Sequence, residues 1–304
     1  MKLAVQFFGH LRTFKKCAKS VRKHLLSKYD CDVFIHTWST LDHRTQTWHC
    51  NSMKRNSPVD SFTIKELQRL YAPKKILIED QINSCIYQSS IPCLSNNGNT
   101  KMSMQGIMFM LESKFKVNEI RKRYQLDNSV EYDYVIMIRP DVKLYKDFNF
   151  EFLDREISLC RNLLTRYCAF SYSKAKKFPI LGNCASDILY FGTPESIDSV
   201  VETLKSVNLF SVQNSVWNPE TLYINELLKH HIASQMINYE YGKDWKIVRD
   251  GINISRKDIV QIHIKPDCAK CNFLSFMPFR LLYLNIDLFT FYKIIFCIGK
   301  RFDD

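Results

Sequence analysis

The sequence predicts an α/β fold of three layers, helices on both faces of a mostly parallel central sheet. Three observations predict it. Short apolar runs alternate with segments of helical periodicity, each run stops at a turn or helix-start signal, and the gap between the first two runs is filled by one helix, as a β-α-β crossover requires. The 304 residues suffice for one large core with an appendage. The expected division is a main domain over 1–265 and a C-terminal amphipathic helical tail over 266–304.

The elements follow in order. Leu3 to Phe8 is an apolar run that ends at Gly9, and Phe14, Ala18, Val21 and Leu25 then recur at helical spacing. The second strand is Asp32-Val33-Phe34-Ile35-His36-Thr37-Trp38, expected to pair in parallel with the first. Thr63 and Glu66 read as a capping box before Leu67 and Leu70, and Lys75 to Glu79 as the next strand. Residues 84–101, rich in Ser, Asn, Pro and Gly, read as a long surface loop of the kind that often serves as a lid. A helix over about 103–124 leads to the buried strand Tyr132 to Ile138, stopped by Arg139-Pro140-Asp141 because proline cannot donate to a ladder. Asp187 to Gly192 is a further strand, closed by Thr193 as N-cap and Pro194 at the first helical position. Asn218-Pro219-Glu220 opens another helix in the same manner.

Composition narrows the partners. Apolar residues make up 46% and charged residues 24%, ordinary for a globular chain, and the formal charge is +12. Such a balance calls for an anionic partner. Lys2, Arg12, Lys15, Lys16, Lys19, Arg22, Lys23 and Lys28 all precede the first acid, Asp30. No zinc-finger spacing, RNP motif or basic-zipper heptad accompanies this charge, so nucleic acid is not expected, and a membrane surface or a phosphorylated small molecule is. The 11 cysteines are odd in number and scattered, and Gly9, His10 and Arg12 interrupt the opening apolar run before it could act as a signal peptide. Reduced thiols in a cytoplasmic setting are expected, Cys268 and Cys271 with His263 making at most half a zinc site.

Two strand ends carry the candidate chemistry, because ligands of open α/β sheets bind outside the carboxyl ends of the strands. Gly9 permits a sharp turn, and Arg12 lies where the next helix begins, a position suited to phosphate. Arg139 and Asp141, two apart in an extended segment, project together: one suits a phosphate, the other a hard cation such as Mg²⁺ or Mn²⁺. The alternative for this pair is a salt bridge at the strand terminus.

Taken together, Gly9-x-x-Arg12, Asp32 to Trp38, Gln105 in Met102-Ser103-Met104-Gln105, Tyr132-Asp133-Tyr134-Val135 running to Arg139-Pro140-Asp141, and the later Phe191-Gly192 strand with its Pro194-Glu195 helix resemble a known family. The family is that of bacterial capsule and lipopolysaccharide-type glycosyltransferases of GT-A-like fold, and the resemblance spans about Lys2 to Arg249. It implies a nucleotide-sugar donor bound by Gly9, Arg12, His36, Gln105, Arg139 and Asp141. At the end of the second strand, His36 and Trp38 could stack on base or sugar, and core packing accounts for Trp38 equally well. It further implies a surface-polysaccharide or lipid-linked glycan acceptor on the side of Asp187 and Glu220, either of which could serve as the base that inverting transfer needs. Where the family's usual metal motif has two aspartates around one residue, this chain has Arg139 at the first. Asp141 remains the candidate ligand for Mn²⁺ or Mg²⁺, with His263 in Ile262-His263-Ile264 as a weaker second. A nucleotidyl- or phospho-group transferase acting on glycans is the alternative within the same fold.

The tail points to a membrane. From Phe273 to Ile298 it is dense in Phe, Leu, Ile and Tyr, but Arg280, Asp287 and Lys293 exclude a standard spanning helix. On a helical wheel Leu281, Leu284, Leu288, Phe291 and Ile295 share one face, the pattern of a helix lying in a membrane interface or packed on the main domain. The expected location is the cytoplasm, peripheral on the inner face of a membrane. A non-catalytic, basic peripheral membrane protein is the alternative of a different class.

Overall fold

The computed structural model describes residues 1–43, 57–83, 93–96, 100–148, 150, 162–166, 185–205, 227, 232 and 234–249. The expected Glu220 helix, His263, the Cys268/Cys271 pair, the tail and the domain boundary at 265 all lie outside the described residues.

The main sheet contains β1 (Lys2–Phe7), β2 (Asp30–Trp38), β3 (Lys75–Glu79), β6 (Tyr134–Ile138), β8 (Asn162–Arg166), β9 (Ala185–Gly192) and β10 (Ser234–Glu240), in the spatial order β10-β8-β9-β6-β1-β2-β3. β1 pairs in parallel with β2 and with β6, and β2 pairs in parallel with β3. β9 alone of these strands runs the other way, antiparallel to both β6 and β8, while β10 and β8 are parallel. The mostly parallel sheet is thus present. Two small antiparallel pairs accompany it: β4 (Cys93–Asn96) with β5 (Thr100–Ser103), and β7 (Val142–Leu144) with β11 (Trp245–Ile247).

Helices cover both faces. α1 (Phe14–Val21), prolonged by a wider turn over Arg22–Leu26, and α2 (Ser61–Tyr71) lie on one side; α3 (Met104–Asn128) and α4 (Pro194–Lys205) lie on the other. Alternation along β1 assigns the layers. Leu3, Val5 and Phe7 pack with Phe14, Ala18, Val21, Leu67 and Tyr71, whereas Ala4 packs with Val117, Ile197 and Val200. Burial on both faces is why β6 is apolar without interruption and β1 is apolar but for Lys2 at its start and Gln6, whose Nε2 donates to Asn118 Oδ1 at 3.1 Å.

Two expectations need correction. The cap of α2 is Asp60, whose Oδ1 accepts from the Thr63 backbone N–H at 2.8 Å. Thr63 is therefore the third helical residue, and Glu66 is engaged by Arg69 at 3.0 Å instead of closing a box. Part of the expected loop over 84–101 is also ordered as the β4–β5 pair; the Asn97-Gly98 dipeptide between these strands is a hairpin signal that reading the stretch as loop passed over. By contrast, Thr193 caps α4 as expected, its Oγ1 accepting from Ser196 N–H at 3.3 Å.

Among the described residues no helix is long and apolar enough to cross a membrane.

Candidate functional site

The chain leaves β1 toward β2 and β3 on one side, while β6 lies on the other. The crevice beyond the carboxyl ends of β1 and β6 is therefore the topological switch point, where sheets of this kind bind ligands. Phe8 N–H donates to Ile138 O at 3.2 Å, tying the two strand ends together.

The turn after β1 is backbone-driven. Gly9 has φ +87°, and a Cβ there would meet nothing within 4 Å, so the requirement for glycine is conformational and not steric. Arg12 also lies in the left-handed region, at φ 45°. Its strain is offset by its contacts: its N–H donates to Leu41 O at 2.8 Å, its Nε to Asp42 Oδ1 at 2.8 Å and its Nη1 to Asp141 Oδ2 at 3.1 Å.

The turn after β6 supplies Arg139 and Asp141. Arg139 Nε donates to Asp141 Oδ1 at 2.9 Å and its Nη2 to Oδ2, so the salt bridge foreseen as the alternative is present, yet buried instead of exposed. A third guanidinium, that of Arg249, reaches Asp141 Oδ2 at 3.2 Å, and Val248 N–H donates to Asp141 O at 2.8 Å. Asp141 is 0% exposed. Burial alone would raise its pKa, but Arg139, Arg249 and Arg12 outweigh burial and hold it below the usual carboxylate range. The cost falls on Arg249, which burial and then Arg12 push down to about 9.

Gly9, Arg12, Arg139 and Asp141 thus converge as expected, but Asp141 has a different part in the arrangement. Both of its oxygens accept from guanidiniums, and a divalent cation there would be ringed by arginines. Among the described residues no group of three His, Cys, Asp or Glu side chains could hold a metal. The donor set does not fit Mn²⁺ or Mg²⁺; Asp141 anchors three arginines. Arg12, Arg139 and Arg249 against Asp42 and Asp141 leave one positive charge at the strand ends, a setting for an anion.

His36 is also placed differently from the expectation. It is fully buried, its Nδ1 at 2.6 Å from Ser113 Oγ and its Nε2 at 3.0 Å from Glu79 Oε2. Ser113 Oγ in turn accepts from Gly9 N–H at 2.6 Å. The serine hydroxyl therefore donates to His36 Nδ1, and the Nε2–H donates to Glu79. Serine, histidine and carboxylate in series resemble a nucleophilic triad, but Ser113 is 0% exposed and its oxygen is committed to Gly9. The series holds the Gly9 turn. Trp38 is buried beside it, packed edge-on against His36 and Phe109, so neither ring is open for stacking on a ligand.

Asp187 reaches the same edge because β9 is reversed: Arg139 N–H donates to Ile188 O at 3.2 Å. Its carboxyl is buried, with Oδ1 lacking a hydrogen-bond partner among the described residues. Burial raises its pKa against the opposing fields of Lys114 and Arg139. Lys114 Nζ donates to Asp187 O at 2.6 Å and lies 4.9 Å from the Phe8 ring centre and 5.0 Å from that of Tyr190. Gln105 stands in the first turn of α3, its side chain outside the description, while Glu220 and His263 lie outside the described residues altogether.

Sequence reasoning missed Arg249, Asp42, Lys114, Ser113 and a histidine pair. His10 Nδ1 donates to Thr40 O at 2.9 Å, leaving its Nε2 to accept from His43 Nδ1 at 3.2 Å. Burial pushes the His10 pKa down to about 3 and lowers that of His43, so both rings are neutral beside the arginines. Asp42 and His43 follow β2 at the same sheet edge, a signal that was there to be used; Arg249 follows no strand of the main sheet and had none.

Searches against protein-family models and against curated proteins found no match to this chain.

Proposed function

We propose that this chain is a glycosyltransferase of GT-A-like fold that moves a sugar from a nucleotide-sugar donor to a surface-polysaccharide or lipid-linked glycan acceptor. The observation that carries the reading is the convergence of Arg12, Arg139 and Arg249 on Asp141 at the β1/β6 switch point. Three guanidiniums fixed by a buried carboxylate are pre-organised donors, and their excess positive charge suits the diphosphate that departs during transfer.

In this reading the acceptor hydroxyl oxygen forms a bond to the anomeric carbon while the bond from that carbon to the diphosphate oxygen breaks. The electron pair leaves with the nucleoside diphosphate, stabilised by the arginines. The hydroxyl proton passes to a carboxylate, and Asp187 suits this step because its raised pKa makes it a stronger base than an exposed aspartate. Glu220 remains the second candidate from the sequence. No step is assigned to a metal, since the residues at Asp141 do not fit one. Peripheral attachment to the inner face of a membrane in the cytoplasm belongs to the same proposal.

The test is thermal stabilisation by a panel of nucleoside diphosphates and nucleotide sugars. A ligand at a hundred times its Kd adds about 2.7 kcal/mol, which for a chain of this size corresponds to a rise of roughly 5 °C. Arg12→Ala removes most of that rise. UDP or GDP released in the presence of acceptor supports sugar transfer, and pyrophosphate supports nucleotidyl transfer. Equal stabilisation of the parent and the variant by every ligand, or none at all, overturns the proposal.

A further inference from the structure

The two helical layers differ in charge. From α1 to the end of its wider turn, Lys15, Lys16, Lys19, Arg22 and Lys23 are exposed and no acid occurs. On the far layer the charges balance: α3 carries Lys114, Lys116, Arg121, Lys122 and Arg123 against Glu112, Glu119 and Asp127, and α4 carries Glu195, Asp198 and Glu202 against Lys205. Beside α1, α2 adds exposed Lys65 and an aromatic ring that a folded core would normally cover: Phe62 is 62% exposed. Lys15 joins the two helices, its Nζ 4.6 Å from the Phe62 ring centre and 3.8 Å from Glu66.

This basic, aromatic patch borders the strand-end crevice. Phe14 opens α1 two residues after Arg12, and residues 57–59 enter α2 by pairing with 39–41 just beyond β2: Leu41 N–H donates to Ser57 O and Val59 N–H to Ser39 O, each at 2.8 Å. Both helices therefore begin at the carboxyl edge of the sheet, where the arginines lie.

We infer that the α1/α2 rim docks on an anionic phospholipid surface, with Phe62 entering the interface and Lys15, Lys16, Lys19 and Lys65 meeting lipid headgroups. Charge complementarity selects this occupant. A cluster of lysines around one exposed aromatic ring matches a surface that is negative outside and apolar beneath. The far layer, balanced in charge, offers the same surface no comparable attraction, so the α1/α2 side faces the lipid and carries the crevice edge with it. The inference goes beyond the transferase reading and does not depend on the reaction; it places docking on the folded domain, separately from the C-terminal tail.

The experiment is co-sedimentation of the full chain with vesicles of phosphatidylcholine alone or with 30 mol% phosphatidylglycerol, a probe composition chosen near ~30% anionic lipid to give a negative surface potential. Binding only to the anionic vesicles, weakening as salt rises, is expected. Each lysine near such a surface contributes roughly fivefold to partitioning, so Lys15→Ala, Lys19→Ala and Lys65→Ala together lower it on the order of a hundredfold. The matched triple Lys122→Ala, Arg123→Ala and Lys205→Ala on the opposite layer leaves it unchanged. In an otherwise intact protein, Phe62→Trp gives an emission that shifts blue on adding anionic vesicles and is quenched by brominated acyl chains. The inference is overturned if both triples weaken binding alike, if the α1/α2 triple binds as the parent does through its tail, or if the tryptophan at that position does not respond. Tighter binding of single-stranded RNA than of anionic vesicles at equal salt, lost in the same triple, also overturns it in favour of nucleic acid.

Discussion

Asp141→Asn separates the two parts that a carboxylate at this strand end could take. If Asp141 anchored a cation, removing its charge would leave the metal-free protein unharmed or relieve it. The structure predicts the reverse. The carboxylate is 0% exposed, and the side chains of Arg12, Arg139 and Arg249 around it are only 9%, 12% and 10% exposed, so solvent screens the loss weakly. Breaking a buried ion pair by removing one partner costs about 3–5 kcal/mol, and here three cations lose a shared partner, which places the loss near the upper end of that range. For a chain of this length the melting temperature should fall by roughly 10 °C. Scanning calorimetry and urea unfolding of the metal-free protein measure it. Arg249→Gln added to Asp141→Asn should recover part of the loss by removing one uncompensated charge, and millimolar phosphate should recover part by supplying an anion. The pH dependence has a definite sign. Because the folded pKa of Asp141 lies below its unfolded value, its contribution is present above about 3.9 and disappears as pH falls through the folded value. The stability gap between parent and variant therefore narrows only in acid. An unchanged or raised melting temperature in Asp141→Asn would refute the anchor.

The other expectations are smaller. Gly9→Ala has room for its methyl group but must hold φ near +87°, so it should lose about 1 kcal/mol in urea unfolding, and its anion-induced thermal stabilisation should drop because the Arg12 turn shifts. Asp60→Ala should lower the melting temperature by removing the α2 cap, whereas Glu66→Ala should leave it nearly unchanged, a contrast that a capping box centred on Thr63 would reverse. Asp187→Asn should abolish turnover while nucleotide-sugar binding persists. In the transfer proposed here, kcat of the parent should rise with pH through the elevated Asp187 pKa, since a base there acts only when deprotonated.

The middle of the sheet was legible because β1, β2 and β6 are buried along most of their length, and β3 was legible as a short run rich in β-branched and apolar residues. The run read as Lys75 to Glu79 is β3 to the residue, and the Leu3 and Asp32 runs differ from β1 and β2 by one or two positions. Helix interiors were harder. The inward face of α3 carries Ser113, Lys114, Asn118 and Arg121, which are buried because each finds a partner in the sheet or in α4: Ser113 the Gly9 turn, Lys114 the Asp187 carbonyl, and Arg121 with Asn118 the Asp198 carboxylate. A polar stripe of this kind is indistinguishable in sequence from a solvated one. Gly9, Arg12, Arg139 and Asp141 could be assigned to one edge by topology alone, since strand ends in a parallel sheet share an edge. That Asp141 is saturated could not, because it depends on Arg249, brought in from 108 positions away by the β7–β11 pair: Val142 opposes Ile247, two residues before that arginine.

Strand direction was equally hidden, since an apolar run reads the same either way, and here direction decides what the crevice contains. Had β9 run parallel to β6, Asp187 would stand toward the opposite edge of the sheet, roughly 17 Å from the carboxyl ends, since five residues rising ~3.3 Å each separate it from Gly192. Reversal brings it beside Arg139, and the two aspartates at that edge then diverge. Asp141 is surrounded by guanidiniums and kept ionised; Asp187, equally buried but with an oxygen lacking a hydrogen-bond partner among the described residues, is pushed toward holding a proton. One carboxylate fixed as a counter-ion and one pushed toward its proton is the division of labour that the proposed transfer calls for, and the reversed strand puts both within one crevice.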